Sequence, residues 1–292
     1  MHLPYALSAL PVGACDCHAH IFGPFEQYPL ATTRTYTPQE STVHDFYALL
    51  TRLGLQRGVL VQASAYGTDN RAMLAALKHC SENNRVIELR GVVVTDRTVS
   101  DDELNAWWEQ GVRGLRFRHA PPSSGASHYH NTVGLEDFYA LAPRMREHGF
   151  HAQLWTHASC WNDIEKGVLD TGVPVVIDHM ARVDPDRDLS TQPFRSLLDA
   201  LKRGDIWVKM TAYRNTSRFP GMEDMAQAMA KFVDCNPDRL LWGSDWPHIN
   251  FPSEVDTQSL LMHLLGHLGG ADMVKRVLVD NPAAFYGFET VG

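Results

Sequence analysis

The sequence lacks the features that indicate a nucleic-acid-binding or membrane protein. Its 26 lysines and arginines are outnumbered by 34 aspartates and glutamates, and the net charge is −8. No basic tract interleaved with aromatic residues occurs, so nucleic acid is not an expected partner. No apolar run reaches the length of a membrane span, so no membrane partner is expected either. The first residues show no secretory signal pattern, which favours a cytoplasmic location.

Paired cysteines and glycine-rich cofactor motifs are missing as well. The five cysteines form neither a disulfide framework nor a complete zinc-binding pattern, so we expect reduced thiols. No Gly-x-Gly-x-x-Gly follows the first predicted strand, which argues against a dinucleotide cofactor. No short repeat or low-complexity tract divides the chain. We therefore expect residues 1–292 to form a single domain.

What the sequence does contain is a regular alternation of short apolar runs with segments of helical spacing. The predicted strands lie near residues 16–20, 58–62, 89–94, 112–118, 152–155, 173–178, 206–210 and 240–243. Several are apolar throughout, as in a parallel sheet covered on both faces. Eight strands in a chain of this length predict an α/β fold of the (β/α)8 TIM-barrel type, although periodicity alone also allows an open doubly wound sheet.

Polar residues cluster where the predicted strands end. In a (β/α)8 barrel the carboxyl ends of the strands form the working face, so these side chains are expected to meet. The candidates are His18, His20, Ser64, Arg116, Arg118, Trp155, His157, Asp178, His179, Arg182, Arg214, Asp245 and His248. A chance distribution would place many of them on helix surfaces.

The stretch from Asp16 to His20 carries a His-x-His pattern. Alternate residues of a strand share a face, so Asp16, His18 and His20 are expected to point the same way. Two imidazoles on one face make either a metal site or a site that polarises a bound group. Asp16 lies deeper in the barrel and is predicted to hold one of the histidines in a single tautomer.

Most of the candidates also have an ordinary structural interpretation. Asp245 could cap a helix, and His179 could be a core histidine. Arg116, which we expect to point inward, could pair with a helix carboxylate. Trp155 taken alone is a packing residue, and His157 could be a solvated loop residue. Their shared position at strand ends is what favours a functional site.

Three motifs together resemble the amidohydrolase superfamily, and most closely the branch that contains the pyrone dicarboxylate lactonases. The motifs are the His-x-His, the Asp178-His179 pair and Gly243-Ser244-Asp245-Trp246-Pro247-His248. The similarity covers nearly the whole chain. It includes Val61-Gln62-Ala63-Ser64, Gly111-Val112-Arg113-Gly114-Leu115-Arg116-Phe117 and a closing Asn281-Pro282-Ala283-Ala284-Phe285-Tyr286-Gly287-Phe288.

This resemblance implies a distorted (β/α)8 barrel that hydrolyses an activated ester or amide, with Asp245 taking a proton from the attacking water. In metal-dependent members the histidine pair, a strand-5 residue, the strand-6 histidine and the strand-8 aspartate hold zinc or a similar ion. In the pyrone dicarboxylate lactonases the same histidines polarise the lactone carbonyl without a metal, and arginines bind the substrate carboxylates.

The sequence departs from this pattern at two points. Trp155 stands where many relatives have a strand-5 histidine, and tryptophan cannot ligate a metal. His157 could replace that ligand only if the strand runs longer than predicted. After Arg116, the loop contains Arg118 followed by His119-Ala120-Pro121-Pro122, without the further arginine of the relatives. Whether Arg118 supplies that charge stays open.

We therefore expect a lactone hydrolase that acts on a small anionic, carboxylated lactone and needs no metal or other cofactor. Asp245 is the expected general base. His18, His20 and His179 are expected to donate hydrogen bonds to the developing oxyanion. The predicted substrate-binding residues are Tyr36, Ser64, Arg116, Arg118, Trp155, Arg182, Arg214 and His248. Among them, the arginines are expected to bind carboxylates through two nitrogens at once.

Other functions stay open at this point. A zinc-dependent hydrolase or decarboxylase would hold the ion on His18, His20, His179 and Asp245 and use a bound water whose pKa is lowered to about 7. A sugar-lactone isomerase on the same barrel would look much alike. A non-catalytic binding protein is disfavoured, because it would have no need of a base beside three histidines. The sequence predicts no oligomeric state.

Overall fold

Eight parallel strands form the centre of the fold in a computed structural model, which describes residues 10–83, 86–119, 130–251 and 255–289. The strands are β1 (Cys15–Ala19), β2 (Arg57–Val61), β3 (Glu88–Val93), β4 (Val112–Arg118), β5 (His151–Trp155), β6 (Val175–Ile177), β7 (Ile206–Met210) and β8 (Leu240–Trp242). Each pairs with the next in sequence order. This order confirms the predicted TIM barrel and excludes the doubly wound sheet.

A short seam between β1 and β8 closes the barrel. The backbone N–H of Asp245 donates to the carbonyl of His18 at 2.7 Å, and that of His20 donates to the carbonyl of Trp246 at 2.8 Å. The close approach of the two strands depends on Gly243, since a Cβ there would lie 2.4 Å from the Cβ of His18. The backbone hydrogen bonds of the seam therefore place the predicted base beside the predicted histidine pair.

The helices cover the outside of the barrel. They are α1 (Val43–Leu53), α2 (Arg71–Asn83), α3 (Asp101–Glu109), α4 (Leu135–His148), α5 (Trp161–Asp170), α6 (Gln192–Arg203), α7 (Ala226–Cys235), α8 (Thr257–Leu268), α9 (Ala271–Lys275) and α10 (Asn281–Tyr286). Thr42 and Asp45 form a capping box at the start of α1. A short 3-10 turn, Glu223–Met225, precedes α7.

Two apolar layers fill the molecule. The larger one packs the outward-facing strand residues against the helices. The smaller one fills the lower barrel interior with Cys15, Cys17, Val59, Val61, Val92, Val176 and Leu241. Tyr286 of α10 and Phe288 join this inner layer. The polar residues of the barrel interior therefore lie above this inner apolar layer.

The strand β1 does not follow a simple alternation. Its register with β2 shifts between Asp16 and Ala19, and Cys17 belongs to the inner layer. Asp16 instead accepts hydrogen bonds from the backbone N–H groups of Ser244 at 2.9 Å and His18 at 3.1 Å. The prediction that Asp16 faces the same way as the histidines and fixes an imidazole tautomer is therefore wrong. Burial raises the pKa of this carboxyl to about 6.

The long loop after β1 folds against the loop after β2. Phe22 stacks on Tyr66 with 6.0 Å between ring centroids, and the N–H of Gly23 donates to the Tyr66 hydroxyl at 2.8 Å. Tyr36 packs against the same small cluster. The loop thereby carries Tyr36 to the carboxyl ends of the strands.

Two sequence predictions fall on segments outside the described residues. Most of the proline-containing loop after β4 lies within residues 120–129, and the start of the chain lies within residues 1–9. Among the helices of the described ranges, none is both long and apolar enough to cross a membrane.

Candidate active site

A cavity of about 320 Å³ opens at the carboxyl ends of the strands. Its lining includes most of the predicted site residues, namely His20, Tyr36, Ser64, Arg116, Arg118, Trp155, His179, Arg182, Arg214 and Asp245. Of the residues predicted to be catalytic or to bind substrate, His18 and His248 are the two that do not line it. A cavity of this size suits a small molecule. The structure therefore brings together residues from strands that are far apart in sequence.

Asp245 lies in the cavity wall with both carboxylate oxygens engaged. Its Oδ1 is 3.1 Å from Nε2 of His20. Its Oδ2 accepts hydrogen bonds from the hydroxyl of Tyr213 at 2.8 Å and from Nε of Arg214. Burial alone would raise the pKa of Asp245, but Arg214, His179 and the other histidines outweigh it and hold the pKa well below its usual range. Asp245 is therefore ionised near neutral pH, as a general base must be.

His20 faces Asp245 in a geometry that restricts its tautomer. Its Nδ1 lies 2.7 Å from the carbonyl oxygen of Val61. Since a carbonyl only accepts hydrogen bonds, Nδ1 carries a proton, and the neutral ring then has a bare Nε2. His20 can donate from Nε2 only as the imidazolium. The prediction that it polarises a carbonyl therefore requires a second proton on the ring.

His18 lies behind the cavity surface and is completely buried. Its Nδ1 is 3.2 Å from Oδ1 of Asp178, and its Nε2 is 3.7 Å from Oδ1 of Asp245. Nε2 has no hydrogen-bond partner among the described residues. Burial and the neighbouring Lys209 lower the pKa of His18 well below its ordinary value. The prediction that His18 donates directly to the substrate is not what this geometry shows, because its ring does not reach the cavity.

His179 is the histidine best placed to donate a hydrogen bond into the cavity. It lines the cavity, and its Nε2 lies 4.0 Å from Oδ2 of Asp245. Burial lowers its pKa to about 3, so the ring is neutral at physiological pH. His179 begins a turn through Arg182 in which φ is 50, 54, 55 and 48° at successive residues. Such left-handed backbone costs free energy and is typical of functional sites.

Beneath the cavity lies a group of three buried polar side chains that we call the floor, formed by Gln153, Asp178 and Lys209. Asp178 was noted in the sequence without a role, and Gln153 and Lys209 were missed. Burial would raise the pKa of Asp178, but Arg116, His18 and Lys209 hold it well below its usual range. Burial lowers the pKa of Lys209 to about 8, against the opposing effect of Asp178. The sequence signal that could have revealed this group is Lys209, a lysine within the otherwise apolar strand β7.

Two of the predicted substrate-binding arginines pair with buried carboxylates. Arg116 points inward, as predicted, and its Nε and Nη2 lie 3.1 and 2.9 Å from Oδ2 of Asp178. The carboxylate thus comes from the end of β6 rather than from a helix. Arg214 pairs with Asp245 and also donates to the carbonyl of Ile249 at 3.0 Å. Both guanidinium groups still line the cavity.

The outer part of the cavity, which we call the mouth, is formed by Arg118, Trp155 and Arg182. The guanidinium of Arg118 lies 4.0 Å from the centroid of the Trp155 ring, a cation–π contact. Arg182 donates a hydrogen bond to the carbonyl of Arg214. Trp155 is thus a packing residue, as it was interpreted when taken alone, and it also lines the cavity, as expected of a substrate-binding residue.

His157 does not reach the predicted metal ligands. Its ring packs edge-on against Trp155 at 5.2 Å, and it does not line the cavity. Burial, followed by the positive charges of Arg182, Arg118 and Arg187, lowers its pKa to about 4. The suggestion that His157 replaces a strand-5 ligand is therefore wrong. Three arginines therefore lie close enough to this ring to oppose its protonation.

The three remaining predicted residues divide into two groups. Tyr36 and Ser64 line the cavity, with their hydroxyl oxygens 3.5 Å apart. His248 is buried away from it, and its Nε2 lies 2.8 Å from the hydroxyl of Thr257. The prediction that His248 completes the substrate pocket is wrong, because the loop after β8 turns its ring toward α8.

The donor atoms at the inner end of the cavity fit a metal ion. In the described ranges, two buried sets of ligand atoms converge: His18 with Asp178 and His179, and His18 with His20 and Asp245. Metal-ligating imidazoles commonly donate their other N–H to a carbonyl or carboxylate, as His20 does to Val61. The Nε2 atoms of His18 and His20, which both face Asp245, would be the natural ligands. The four residues predicted as zinc ligands do not form one set, however, and β5 supplies no histidine at this level.

The barrel and this arrangement of histidines and aspartate define the chain as a member of the amidohydrolase family, whose model matches residues 15–288. The resemblance seen in the sequence is thereby confirmed.

The curated relatives include hydrolases of two related kinds and a D-galactarolactone isomerase of Agrobacterium fabrum, which is 25% identical. The chain is similar to 2-pyrone-4,6-dicarboxylate hydrolase of Comamonas testosteroni, with 31% identity over 293 residues, covering 97% of this chain and 92% of the relative. It is also similar to 4-sulfomuconolactone hydrolase of Rhizobium radiobacter, with 32% identity over 296 residues, covering 96% and 91%. These matches identify the chain as a hydrolase that is related to lactonases.

A solved structure from Acinetobacter baumannii has the same fold. It is described as a probable 2-pyrone-4,6-dicarboxylic acid hydrolase with citric acid bound. It matches this chain with a TM-score of 0.81 and 26% identity, covering 94% of this chain and all of that one.

Proposed function

We propose that this enzyme hydrolyses a small lactone bearing two anionic groups, of the 2-pyrone-4,6-dicarboxylate type, without a bound metal. The observation that carries the proposal is an ionised carboxylate, Asp245, in the wall of a cavity that four arginines line. A base beside concentrated positive charge suits the attack of water on an anionic ester. The names of the relatives support the same substrate class.

In the proposed reaction, Asp245 takes a proton from a water molecule as the water oxygen bonds to the lactone carbonyl carbon. The neutral His179 donates a hydrogen bond to the carbonyl oxygen as that oxygen becomes negative, and His20 does so as an imidazolium. The ring C–O bond then breaks, and the leaving oxygen takes the proton that Asp245 accepted from the water. Hydrogen-bond donors preset for an oxyanion are commonly worth about 3 kcal/mol each.

The charges of the site support a reaction without a metal. Asp245 already pairs with Arg214, and Asp178 already pairs with Arg116 and lies 3.8 Å from Nζ of Lys209. These cations supply positive charge at the place where a metal ion would otherwise supply it. They also oppose the entry of a divalent cation.

The anionic groups of the substrate find their partners toward the mouth. Arg116, Arg118 and Arg182 all line the cavity, and planar guanidinium groups bind carboxylates through two nitrogens. The related Acinetobacter structure has citric acid, a tricarboxylic acid, bound. This cavity is thus suited to a substrate with more than one anionic group, and Arg118 is our candidate for the charge that the loop after β4 otherwise lacks.

A metal-dependent hydrolase is the second candidate, and the orientation of the imidazoles favours it. His20 donates from Nδ1 to Val61, and Nδ1 of His18 faces Asp178, so both rings present Nε2 toward Asp245. His18, His20 and Asp245 would hold the ion. When bound, a zinc ion would lower the pKa of a coordinated water to about 7.

The test is hydrolysis of 2-pyrone-4,6-dicarboxylate and 4-sulfomuconolactone by protein whose metal content is measured on the same preparation. We expect ring opening with less than stoichiometric metal, and no loss of activity with a chelator. Activity that rises in proportion to bound zinc would replace the metal-free proposal with the second candidate. Product analysis separates hydrolysis from isomerisation, and an isomerised lactone would overturn both.

A further inference from the structure

A buried lysine in the barrel interior takes no part in the chemical steps described above. Lys209 lies on β7 with no exposed surface, and it does not line the cavity. Burying an ammonium group is costly unless it is paired and hydrogen-bonded. A lysine held at this depth directly under a reactive site therefore needs a physical account.

Lys209 contacts the site both directly and through Gln153. Its Nζ lies 3.4 Å from Nδ1 of His18 and 3.8 Å from Oδ1 of Asp178. Nζ of Lys209 donates to Oε1 of Gln153 at 2.7 Å, and Nε2 of Gln153 donates to Oδ2 of Asp178 at 3.1 Å. Lys209 thus fixes which end of the Gln153 amide faces Asp178. Without the ammonium group, the amide could turn and present its oxygen to a carboxylate, which would repel it.

Asp178 is in turn held mainly through one oxygen. Its Oδ2 accepts hydrogen bonds from Gln153 and from Nε of Arg116, and Nη2 of Arg116 completes the ion pair at 2.9 Å. Its Oδ1 is left facing Nδ1 of His18 at 3.2 Å. The orientation of this carboxylate therefore sets both the position of a cavity arginine and the orientation of a catalytic-site imidazole.

We propose that Lys209 and Gln153 are positioning residues, which lock the Asp178 carboxylate so that it aligns His18 and Arg116 at the same time. Neither residue touches the substrate. The proposal rests on the proposed function for its kinetic consequence, but the alignment itself is required whether the carbonyl is polarised by imidazoles or by a bound ion. A buried ion pair that serves stability alone would affect folding without affecting the geometry of His18.

The kinetic test compares Lys209→Met and Gln153→Met with Val208→Ala. Val208 lies on the same strand, equally buried, but in the outer apolar layer, so its truncation weakens the barrel without touching the floor. Removing residues that orient site groups typically costs 10- to 100-fold. We expect kcat for 2-pyrone-4,6-dicarboxylate to fall by about that factor in both methionine variants, with a smaller change in KM. Val208→Ala should lower Tm and leave kcat within about twofold.

A second measurement does not depend on activity. Long-range ¹H–¹⁵N spectra of the imidazoles, recorded at one pH on metal-free protein with His18 assigned through a His18→Asn variant, report which nitrogen of His18 carries the proton. We expect a single form with the proton on Nδ1 in the wild type and a mixture in Lys209→Met. If Lys209→Met does not fold, Gln153→Met is measured in its place.

The outcomes separate the two proposals. Unchanged His18 signals in the variants, or a kcat within twofold of the Val208→Ala value, would overturn the positioning role. If the wild type opens neither lactone, the proposed function fails, and the His18 spectra alone decide whether Lys209 positions the ring.

Discussion

The floor and the mouth of the cavity are built in opposite ways. In the floor, Gln153, Asp178 and Lys209 are completely buried, and every one of them bonds to another. In the mouth, Arg118, Trp155 and Arg182 are partly exposed side chains around an opening. A rigid floor suits the fixed geometry that proton transfer needs, and an open mouth suits the selection of substrates. Changes in the floor should therefore affect kcat, and changes in the mouth should affect KM.

The largest effect is expected directly above the floor. Replacing Asp245 with Asn removes the base and its ion pair with Arg214 but keeps the shape of the cavity wall. We expect kcat for 2-pyrone-4,6-dicarboxylate to fall by up to ~10⁴-fold, with KM changed only a few-fold, since general bases contribute up to about that factor. Steady-state kinetics measures both constants. Full activity in this variant would refute the assignment of the base.

Arg116 tests this comparison because it pairs with Asp178 of the floor and also lines the cavity. Its replacement by Met removes an anion-binding group from the cavity and leaves Asp178 without its closest cation. We expect kcat/KM to fall by roughly 10³-fold, with kcat and KM both changed, because a charged contact to the substrate and the alignment of Asp178 are both lost. The free energy of unfolding should fall separately, by about 3–5 kcal/mol, because a buried carboxylate loses its ion-pair partner. Kinetics together with thermal unfolding measures the two parts. A change confined to KM would show that Arg116 acts only in substrate binding, as expected for the residues of the mouth.

Acid should destabilise the buried side of the molecule. Burial lowers the pKa values of His151 and His179 to about 3. Below pH 6.5 these histidines therefore bind protons in the unfolded chain but not in the folded one. The free energy of unfolding falls as the pH falls, and each of the two histidines contributes a loss of about 2 kcal/mol at pH 5. Asp16, with its pKa raised to about 6, offsets about 1 kcal/mol of this.

Together these three groups lower the stability by about 3 kcal/mol from pH 7 to pH 5, which is roughly a hundredfold in the folding equilibrium. His248, whose pKa burial lowers to about 4, adds to this loss. Urea unfolding at the two pH values measures it. His151→Gln, which changes a residue remote from the mouth, should lose a large part of the pH dependence. Equal stability at both pH values would show that these histidines titrate normally.

A tenfold effect is expected in the mouth. Arg118→Ala removes the cation over Trp155, and we expect KM for the dicarboxylate to rise about tenfold with kcat unchanged, as for the loss of one charged hydrogen bond. Arg187→Ala is the matched control, because Arg187 is a nearby exposed arginine outside the cavity lining. A fall in kcat in Arg118→Ala would contradict the division between floor and mouth.

The smallest effect on catalysis is expected at His248. Its imidazole bonds to Thr257 outside the cavity. His248→Asn should therefore lower stability by about 1 kcal/mol through the lost hydrogen bond and leave kcat/KM within about twofold. A hundredfold loss of kcat/KM would show that His248 does contribute to the substrate pocket.

The sequence predicted the barrel and most of the cavity because both follow from local signals. The apolar runs marked all eight strands, and the rule that strand ends form the working face selected Asp245 and His179. Asp16 and His248 were predicted wrongly, since a register shift in β1 and the path of a loop are set by tertiary packing. Gln153 and Lys209 were missed, because their partners come from other strands and no spacing along the chain reveals them.

The seam between β1 and β8 has a consequence for how the enzyme becomes active. His20 and Asp245, which the seam brings within hydrogen-bonding distance, are separated by 225 residues. Contacts between residues so distant in sequence form late, since the intervening chain must first be ordered. In refolding from denaturant, the return of activity should therefore lag behind the return of helical signal. The first catalytic turnover would mark the moment at which the last strand docks against the first.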